Sequence, residues 1–403
     1  MGDMSGIQGQ RLPEAPWRHR PGLDRLAAAL DAAGGHARYV GGAVRDTLLG
    51  LDVADIDIAT DLRPDDVVRR LEAAGIKAIP TGIAHGTVTA VSEGTVVEVT
   101  TLRHDVATDG RHAVVAFADD WREDAARRDF TINALYADPA DGTLFDWFGG
   151  LDDLAARRVR FIGDPYRRIA EDHLRILRFF RFHARFGTTI DQDALEACTA
   201  RANDLMALSR ERIASELLKL LVAPGAVAAM AVMEERGILR PVLPEITAEG
   251  VARLDTLARR EAADRIAADP VRRLAALVPT SAAESVGARL KLSNADRKRL
   301  IQAGGDVGDE GARALAYRTG TQTAIDRLLL SGGEVSALRG WQPPVLPIGG
   351  GALVERGLAR GPDVARTLRT IEGRWIAENF PDAARVAQIA DEEVDQLLRS
   401  SRY

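Results

Sequence analysis

Asp55 and Asp57 stand one residue apart in the run Asp55-Ile56-Asp57, shortly after the segment Gly41-Gly42-Ala43-Val44-Arg45-Asp46. On a strand, residues i and i+2 point to the same face, so this spacing brings two carboxylates side by side. Like charges held so close need a cation between them. A divalent metal answers that need, with oxygen ligands from one or two carboxylates and from substrate phosphate. The glycine turn before them reads as a phosphate cradle opening a helix. Gly42, without a side chain, lets the backbone approach a triphosphate, and Arg45 adds charge one turn on. A metal beside a phosphate cradle predicts nucleotide chemistry. Glu98, inside a neighbouring strand pattern, is a candidate third carboxylate or an exposed hairpin residue.

A second cluster is Arg127-Arg128-Asp129-Phe130-Thr131-Ile132-Asn133-Ala134. Here Arg128 is a candidate phosphate or ribose contact, with Asp129 orienting it or accepting a ribose hydroxyl. A third, Glu171-Asp172-His173-Leu174-Arg175-Ile176-Leu177-Arg178-Phe179-Phe180-Arg181, is helical in pattern. It predicts a stripe of Arg175, Arg178, Arg181 and Arg185, with Asp172 and Arg175 on adjacent turns of one face. That pair sets an acceptor-only carboxylate beside a donor-only guanidinium. Cytosine and adenine present an amino donor next to a ring-nitrogen acceptor, whereas uracil and guanine present a carbonyl where the amino group would be. A pocket built on the pair admits C and A and rejects U and G.

These residues must be positioned by two kinds of structure. From Ala37 to about Gly150, short strand patterns (Ala37–Val40, Asp55–Ala59, Thr87–Val91, Val96–Thr101) alternate with short helices. Ser92-Glu93-Gly94 reads as a hairpin turn, Pro64 as a helix start, and Arg103 to Ala113 as a polar mobile loop. After Gly163-Asp164-Pro165 the strand patterns give way to helical periodicity. Ser209 is the expected N-cap of a helix through Leu221, and further helices are expected over Val227–Glu235, Val251–Ala263, Val271–Val278 and Val364–Phe380. The expected fold class is α+β: a head with a small mixed sheet, then an elongated all-helical remainder. The expected domains are a loose N-terminal tail (1–20), a catalytic head (21–150), a helical neck that recognises the base (151–225), and a helical body and tail that bind RNA (226–403).

Composition narrows the alternatives. The chain of 403 residues has 28% charged and 46% hydrophobic residues, ordinary for a globular protein, and no run of eighteen apolar residues that would span a membrane. The start of the chain, polar and without an apolar core segment, does not read as a secretory signal. Cys198 is the only cysteine, which rules out an internal disulfide and a thiolate zinc cluster and suits a reducing cytoplasm. A net charge of −6 argues against indiscriminate polyanion binding but leaves room for local stripes. Such a stripe exists in the arginines at Arg157, Arg158, Arg160, Arg167, Arg168, Arg175, Arg178, Arg181 and Arg185. All seven histidines lie at or before His183, which disfavours a histidine–aspartate hydrolase domain in the second half.

Taken together and in this order, the three clusters and Ser209-Arg210-Glu211-Arg212 resemble the class II CCA-adding tRNA nucleotidyltransferases and the related bacterial poly(A) polymerases. The resemblance covers about residues 37 to 222. It implies a polymerase-β-like nucleotidyltransferase head, with Asp55 and Asp57 as catalytic Mg²⁺ ligands. Gly42, Arg45, Arg128, Asp129, Asp172, Arg175, Arg178 and Arg181 are then the nucleotide-binding set. It further implies that Asp109-Gly110-Arg111-His112 corresponds to a flexible loop that helps the pocket switch from C to A. The implied partners are CTP, ATP and the 3′ end of tRNA. The expected activity is template-independent addition of CMP and AMP there. A poly(A) polymerase or A-adding enzyme using ATP is the rival within the same motifs.

Overall fold

The computed structural model describes residues 10–108 and 113–400. Within them the chain forms two compact units, Met1–Pro244 and Glu245–Tyr403. The division falls later than the boundary at 225/226 expected from the sequence.

The first unit opens with a correction. Residues 10–20 are not a loose tail: the Leu12 amide donates to the Gly142 carbonyl at 2.7 Å, and the Trp17 indole is buried, its N–H donating to Thr47 Oγ1 at 2.8 Å. A lone tryptophan among polar residues carries no periodic signal, yet burying its ring repays ordering the segment. After α1 (Leu23–Ala29), β1 (Ala37–Val40) runs fully buried into Gly41, whose φ of 66° turns the chain into α2 (Gly42–Leu48). Then come β2 (Ile56–Thr60), α3 (Pro64–Ala73), β3 (Lys77–Gly82), β4 (Thr87–Ser92) and β5 (Thr95–Thr101). Glu93 and Gly94 turn the β4–β5 hairpin, both at positive φ, as a tight hairpin turn requires.

The segment expected as a polar loop is instead β6 (Arg103–Thr108), paired antiparallel with β7 (Ala113–Phe117). Residue preference for loops is overridden by a partner strand, Ala113-Val114-Val115-Ala116-Phe117, that supplies the hydrogen bonds. The expected flexible-loop residues Asp109 and Arg111 lie outside the described residues. α4 (Trp121–Ala126), β8 (Tyr136–Ala137) and β9 (Leu144–Phe145) complete the head. The main sheet has the order β3-β4-β5-β2-β1-β8-β9, mixed because β2 and β5 run parallel while its other neighbours are antiparallel. Val40, Ala59, Trp121, Tyr136 and Phe145 form a buried cluster on this sheet.

Helices take over after β9: α5 (Gly150–Ala155), α6 (Pro165–Glu171), α7 (Arg175–Phe186), α8 (Gln192–Ala200), α9 (Arg210–Leu221) and α10 (Ala226–Glu235). Ser209 caps α9 as expected, accepting from the Arg212 amide at 3.4 Å. On α7 the apolar side, with Ile176, Phe179, Phe180 and Phe182, is buried; Phe130 and Phe161 pack on Phe179.

The second unit is all-helical among the described residues: α11 (Ala248–Ala263), α12 (Pro270–Leu277), α13 (Ala283–Arg289), α14 (Asn294–Ala303), α15 (Ala312–Thr319), α16 (Thr321–Ser331), α17 (Gly350–Glu355), α18 (Pro362–Ala377) and α19 (Ala383–Ser400). Leu353, Ile371, Trp375, Val386 and Ile389 make its apolar cluster, and the Trp375 indole donates to the Pro381 carbonyl at 2.9 Å. No helix among the described residues is long and apolar enough to cross a membrane.

Candidate nucleotidyl-transfer site

The β1–α2 turn, β2, the α4–β8 connection and the start of α7 converge on one open cleft of about 730 Å³. Its lining includes Gly41, Gly42, Arg45, Asp55, Asp57, Arg128, Asp129, Asp172, Arg175, Arg178 and Arg181, so the expected metal-ligand pair and nucleotide-binding set are brought together there, while Glu98 and Arg185 are not part of the lining. Arg103, Arg127, Asn133 and Phe182 also line it, with no role assigned from the sequence.

The acids sit on one wall. β2 begins at Ile56, one residue later than expected, so Asp55 is exposed at its entrance while Asp57 is half-buried within it. Asp57 is in register with Glu98 on the parallel strand β5. Burial, then the charges of Glu98 and Asp55, push the Asp57 carboxyl up to about 6, against the opposing pull of Arg128. Among the described residues no group of three or more His, Cys, Asp or Glu side chains is placed to hold a metal ion.

Gly41 needs its glycine for φ, and an added Cβ would also lie 3.4 Å from Arg128 Nη1. At Gly42 an added Cβ would meet only Arg45 Nη2 at 3.8 Å, an ordinary contact. Any demand for glycine there comes from the cleft side. Arg45 is buried; its Nε donates to Asp46 Oδ1 at 2.8 Å and its Nη1 to Asn133 Oδ1 at 2.5 Å, and burial lowers its pKa despite Asp46. Asp46 is thus the partner of Arg45, and it also accepts from Arg185 Nη2 at 3.2 Å.

Elsewhere in the lining two expectations are corrected. Asp129 does not orient Arg128. It accepts from Arg178 Nε at 2.7 Å, from Asn133 Nδ2 at 2.9 Å and from the Phe130 amide at 2.9 Å. Burial raises its pKa, but these donors outweigh it and hold the carboxyl below its usual range. Arg128 turns to Asp124 and Tyr136 instead.

Nor do Asp172 and Arg175 share one helix. α6 ends at Glu171, Asp172 is extended at φ −150° and ψ 107°, and α7 begins at Arg175. The short Asp172 side chain accepts from the Leu174 amide at 3.1 Å, offering the backbone a cap in place of a further helical turn. Both residues still line the cleft.

The arginine stripe is held by acids from within the chain. Arg175 is buried and donates to Glu171 at 2.7 Å, Arg178 pairs with Asp129, Arg181 with Glu216 at 2.5 Å, and Arg185 with Asp46. Phe182 lies under the same row, its ring centre 4.3 Å from the Arg181 guanidinium and 5.2 Å from that of Arg45.

Supporting residues come from α9: Arg212 Nη2 donates to both Asp172 oxygens, at 2.9 and 3.1 Å, and Glu216 one turn on holds Arg181. The quoted Ser209-Arg210-Glu211-Arg212 signal marked this helix, but only its packing reveals whom it serves. Likewise Asn133 stands four residues after Asp129, a spacing that signals a local hydrogen bond.

A mixed-sheet head carrying paired acids opposite an arginine row across one cleft defines a nucleotidyltransferase of the polymerase-β-like class. Two family models match: the poly A polymerase head domain over residues 37–160, and the probable RNA and SrmB-binding site of polymerase A over residues 187–249. The chain is 36% identical over 377 residues to the mitochondrial CCA tRNA nucleotidyltransferase 1 of Danio rerio, covering 88% of this chain and 86% of that protein. It is 43% identical over 217 residues to the CCA-adding enzyme of Levilactobacillus brevis, covering 53% and 52% of the two chains. Its structure is similar to the Bacillus stearothermophilus CCA-adding enzyme in complex with CTP, with a TM-score of 0.71, 27% identity, and coverage of 95% of this chain and 100% of that one. The chain belongs to the family of CCA-adding tRNA nucleotidyltransferases.

Proposed function

We propose that this chain transfers CMP, CMP and AMP in turn from CTP and ATP to the 3′ end of tRNA, without a nucleic-acid template. The observation that carries the reading is the cleft itself: two unneutralised acids face a row of arginines across a space of about 730 Å³. Whole-chain similarity to CCA tRNA nucleotidyltransferases supports it.

Asp55 and Asp57 would hold a divalent cation, and their oxygen-only donor set suits Mg²⁺. Burial first, and then the charges of Glu98 and Asp55, raise the Asp57 pKa, and a cation entering between the acids would offset both, which is the fit expected of such a site. A divalent cation held by Asp55 and Asp57 would supply a lowered pKa for the attacking 3′-hydroxyl and positive charge against the leaving pyrophosphate. Gly42 admits the triphosphate close to the backbone. Arg45, its donors engaged with Asp46 and Asn133, contributes charge, whereas Arg128 presents Nη1 toward the cleft for the sugar-phosphate. Asp129 holds Arg178, and Arg178 and Arg181 line the same wall for the nucleotide.

Asp172 and Arg175 read the base in this account. Their bonds to Arg212, Leu174, Glu171 and backbone carbonyls leave a lone pair on Asp172 Oδ2, and the Nε–H and one Nη2–H of Arg175. Those are the acceptor and donor that cytosine and adenine satisfy and that uracil and guanine do not. For the compartment we propose the cytoplasm, a reading supported by the single, buried Cys198.

The test offers tRNA lacking its 3′ CCA, with each labelled nucleotide alone and in combination. Addition limited to C, C and A supports the reading. Long A tracts assign the chain to poly(A) synthesis, and a single A added only to tRNA already ending in CC makes it an A-adding enzyme.

A further inference from the structure

Behind the cleft wall, out of reach of any substrate, lies Asp124 on α4, only 1% exposed. Its two oxygens collect donors from four places. Oδ2 accepts from the Tyr136 hydroxyl at 2.6 Å and from Arg128 Nη2 at 3.1 Å. Oδ1 accepts from Arg127 Nε at 2.9 Å and from the backbone N–H of Arg103, the first residue of β6, at 3.3 Å. Arg128 Nε in turn donates to the Tyr136 hydroxyl oxygen at 3.0 Å, closing a triangle of guanidinium, phenol and carboxylate.

The chemistry of the three groups leaves one way to wire this triangle. A carboxylate only accepts and a guanidinium only donates, so the phenol must give its proton to Asp124 and turn a lone pair to Arg128. Two of the three guanidinium nitrogens of Arg128 are thereby spent inward. The third, Nη1, is left beside the Gly41 turn at the edge of the cleft. The phenol is itself held from both sides, with Trp121 and Trp147 edge-on at 5.9 and 5.5 Å between ring centres. A free arginine carries several rotamers to lose on binding, and this cage removes that loss before the nucleotide arrives.

We infer that Asp124 and Tyr136 are positioning residues for nucleotide binding: they lock the Arg128 guanidinium so that Nη1 faces the cleft, and the same carboxylate fastens the root of β6 to it. This rests on the reading of the cleft as a CTP- and ATP-using site. Burial raises the Asp124 pKa, but Arg128 and Arg127 outweigh it and hold the carboxyl near 2, so the anchor stays charged throughout the range in which the protein is assayed.

The experiment measures steady-state addition of CMP to tRNA lacking CCA by the full chain. The variants are Tyr136→Phe, Asp124→Asn, Arg128→Ala and the double variant Tyr136→Phe/Arg128→Ala, each with a thermal melt. Tyr136→Phe keeps the ring and its packing and loses only the hydroxyl. It is expected to raise the KM for CTP about tenfold with kcat changed less than about threefold, the scale of one hydrogen bond to a charged group. Asp124→Asn is expected to raise KM by about 10- to 100-fold; should it fail to fold, Tyr136→Phe decides alone. In the Arg128→Ala background, Tyr136→Phe is expected to add less than about a twofold effect, because the group it positions is gone. An unchanged KM in Tyr136→Phe overturns the inference, as does the same loss in both backgrounds, which would mark a merely structural role. Wild type run alongside separates the two readings: an active wild type with an unaffected Tyr136→Phe sinks only this inference, whereas an inactive wild type sinks the proposed function and this with it.

Discussion

Two clusters of buried or half-buried acids in this molecule are built on opposite rules. In the second unit, Glu261 of α11 accepts from Arg272 and Arg273 of α12, both at 2.8 Å. Asp326 of α16, fully buried, meets Arg299 of α14 at 2.6 Å and Arg272 at 3.3 Å, and Arg299 reaches on to Asp269 at 2.9 Å. Every acid there faces arginine. In the cleft of the first unit, Asp57 makes no ion pair among the described residues, and burial with the charges of Glu98 and Asp55 outweighs the pull of Arg128 and holds its proton up to about 6. Both arrangements cost desolvation, but only the first offsets it from within the chain. The contrast sets the cleft acids apart: without an arginine ion pair among the described residues, they are the carboxylates that the proposed cation site calls for.

The comparison breaks first at its most consequential point. Asp55→Ala and Asp57→Ala are expected to lose nucleotide addition by on the order of 10²–10³-fold or more while melting at or above the wild-type temperature; activity persisting in both variants would refute the assignment. In the helical unit the sign reverses. Asp326→Ala, which strips Arg272 and Arg299 of a shared partner, is expected to destabilise by about 3–5 kcal/mol in denaturant titration. Turnover per folded molecule should stay unchanged, and a stability change below about 1 kcal/mol would show that the network is not a structural brace.

Selectivity is a smaller effect. Asp172→Ala should relax rejection of UTP and GTP by about tenfold, since each wrong base loses one acceptor–acceptor clash. Unchanged selectivity removes Asp172 from base reading.

The smallest effect is a matter of pH. Because the folded pKa of Asp57 lies above its unfolded value, deprotonating it in the fold costs stability as pH rises from about 4 through 6. Without divalent metal, Asp57→Asn should therefore be more stable than wild type above pH 6, by about 1–2 kcal/mol, with the difference gone below pH 4. Equal melting curves at pH 8 would contradict the raised pKa.

Much of this was legible in the sequence wherever the cause is local. The β1–glycine–α2 turn, the Pro64 helix start and the Ser209 cap are set by residues within a turn of one another, and they fall where expected. The set of cleft residues was legible too, because residues a few positions apart stay close in space even where, as at Asp172 and Arg175, they do not share one element. What the spacing did not carry was pairing between distant segments. Asp129 meets Arg178 on α7, Asp172 meets Arg212 on α9, and the polar 103–108 segment becomes a strand only through 113–117. Trp17 is buried only because Thr47 and the head surround it. Such choices depend on which surfaces meet after the chain collapses, and one sequence without its packing does not state them.

The proposed transfer requires that Asp55 and Asp57 of the cleft receive a cation. Titrating Mn²⁺, as a spectroscopic stand-in for Mg²⁺, into the wild-type protein and the Asp57→Asn variant between pH 5 and 8 tests this directly. The expected result is binding by wild type that is steady above pH 6 and weakens toward tenfold per unit below it, as protons compete for Asp57, with that pH dependence and most of the affinity lost in the variant. Equal affinity in the two proteins across the range would contradict it.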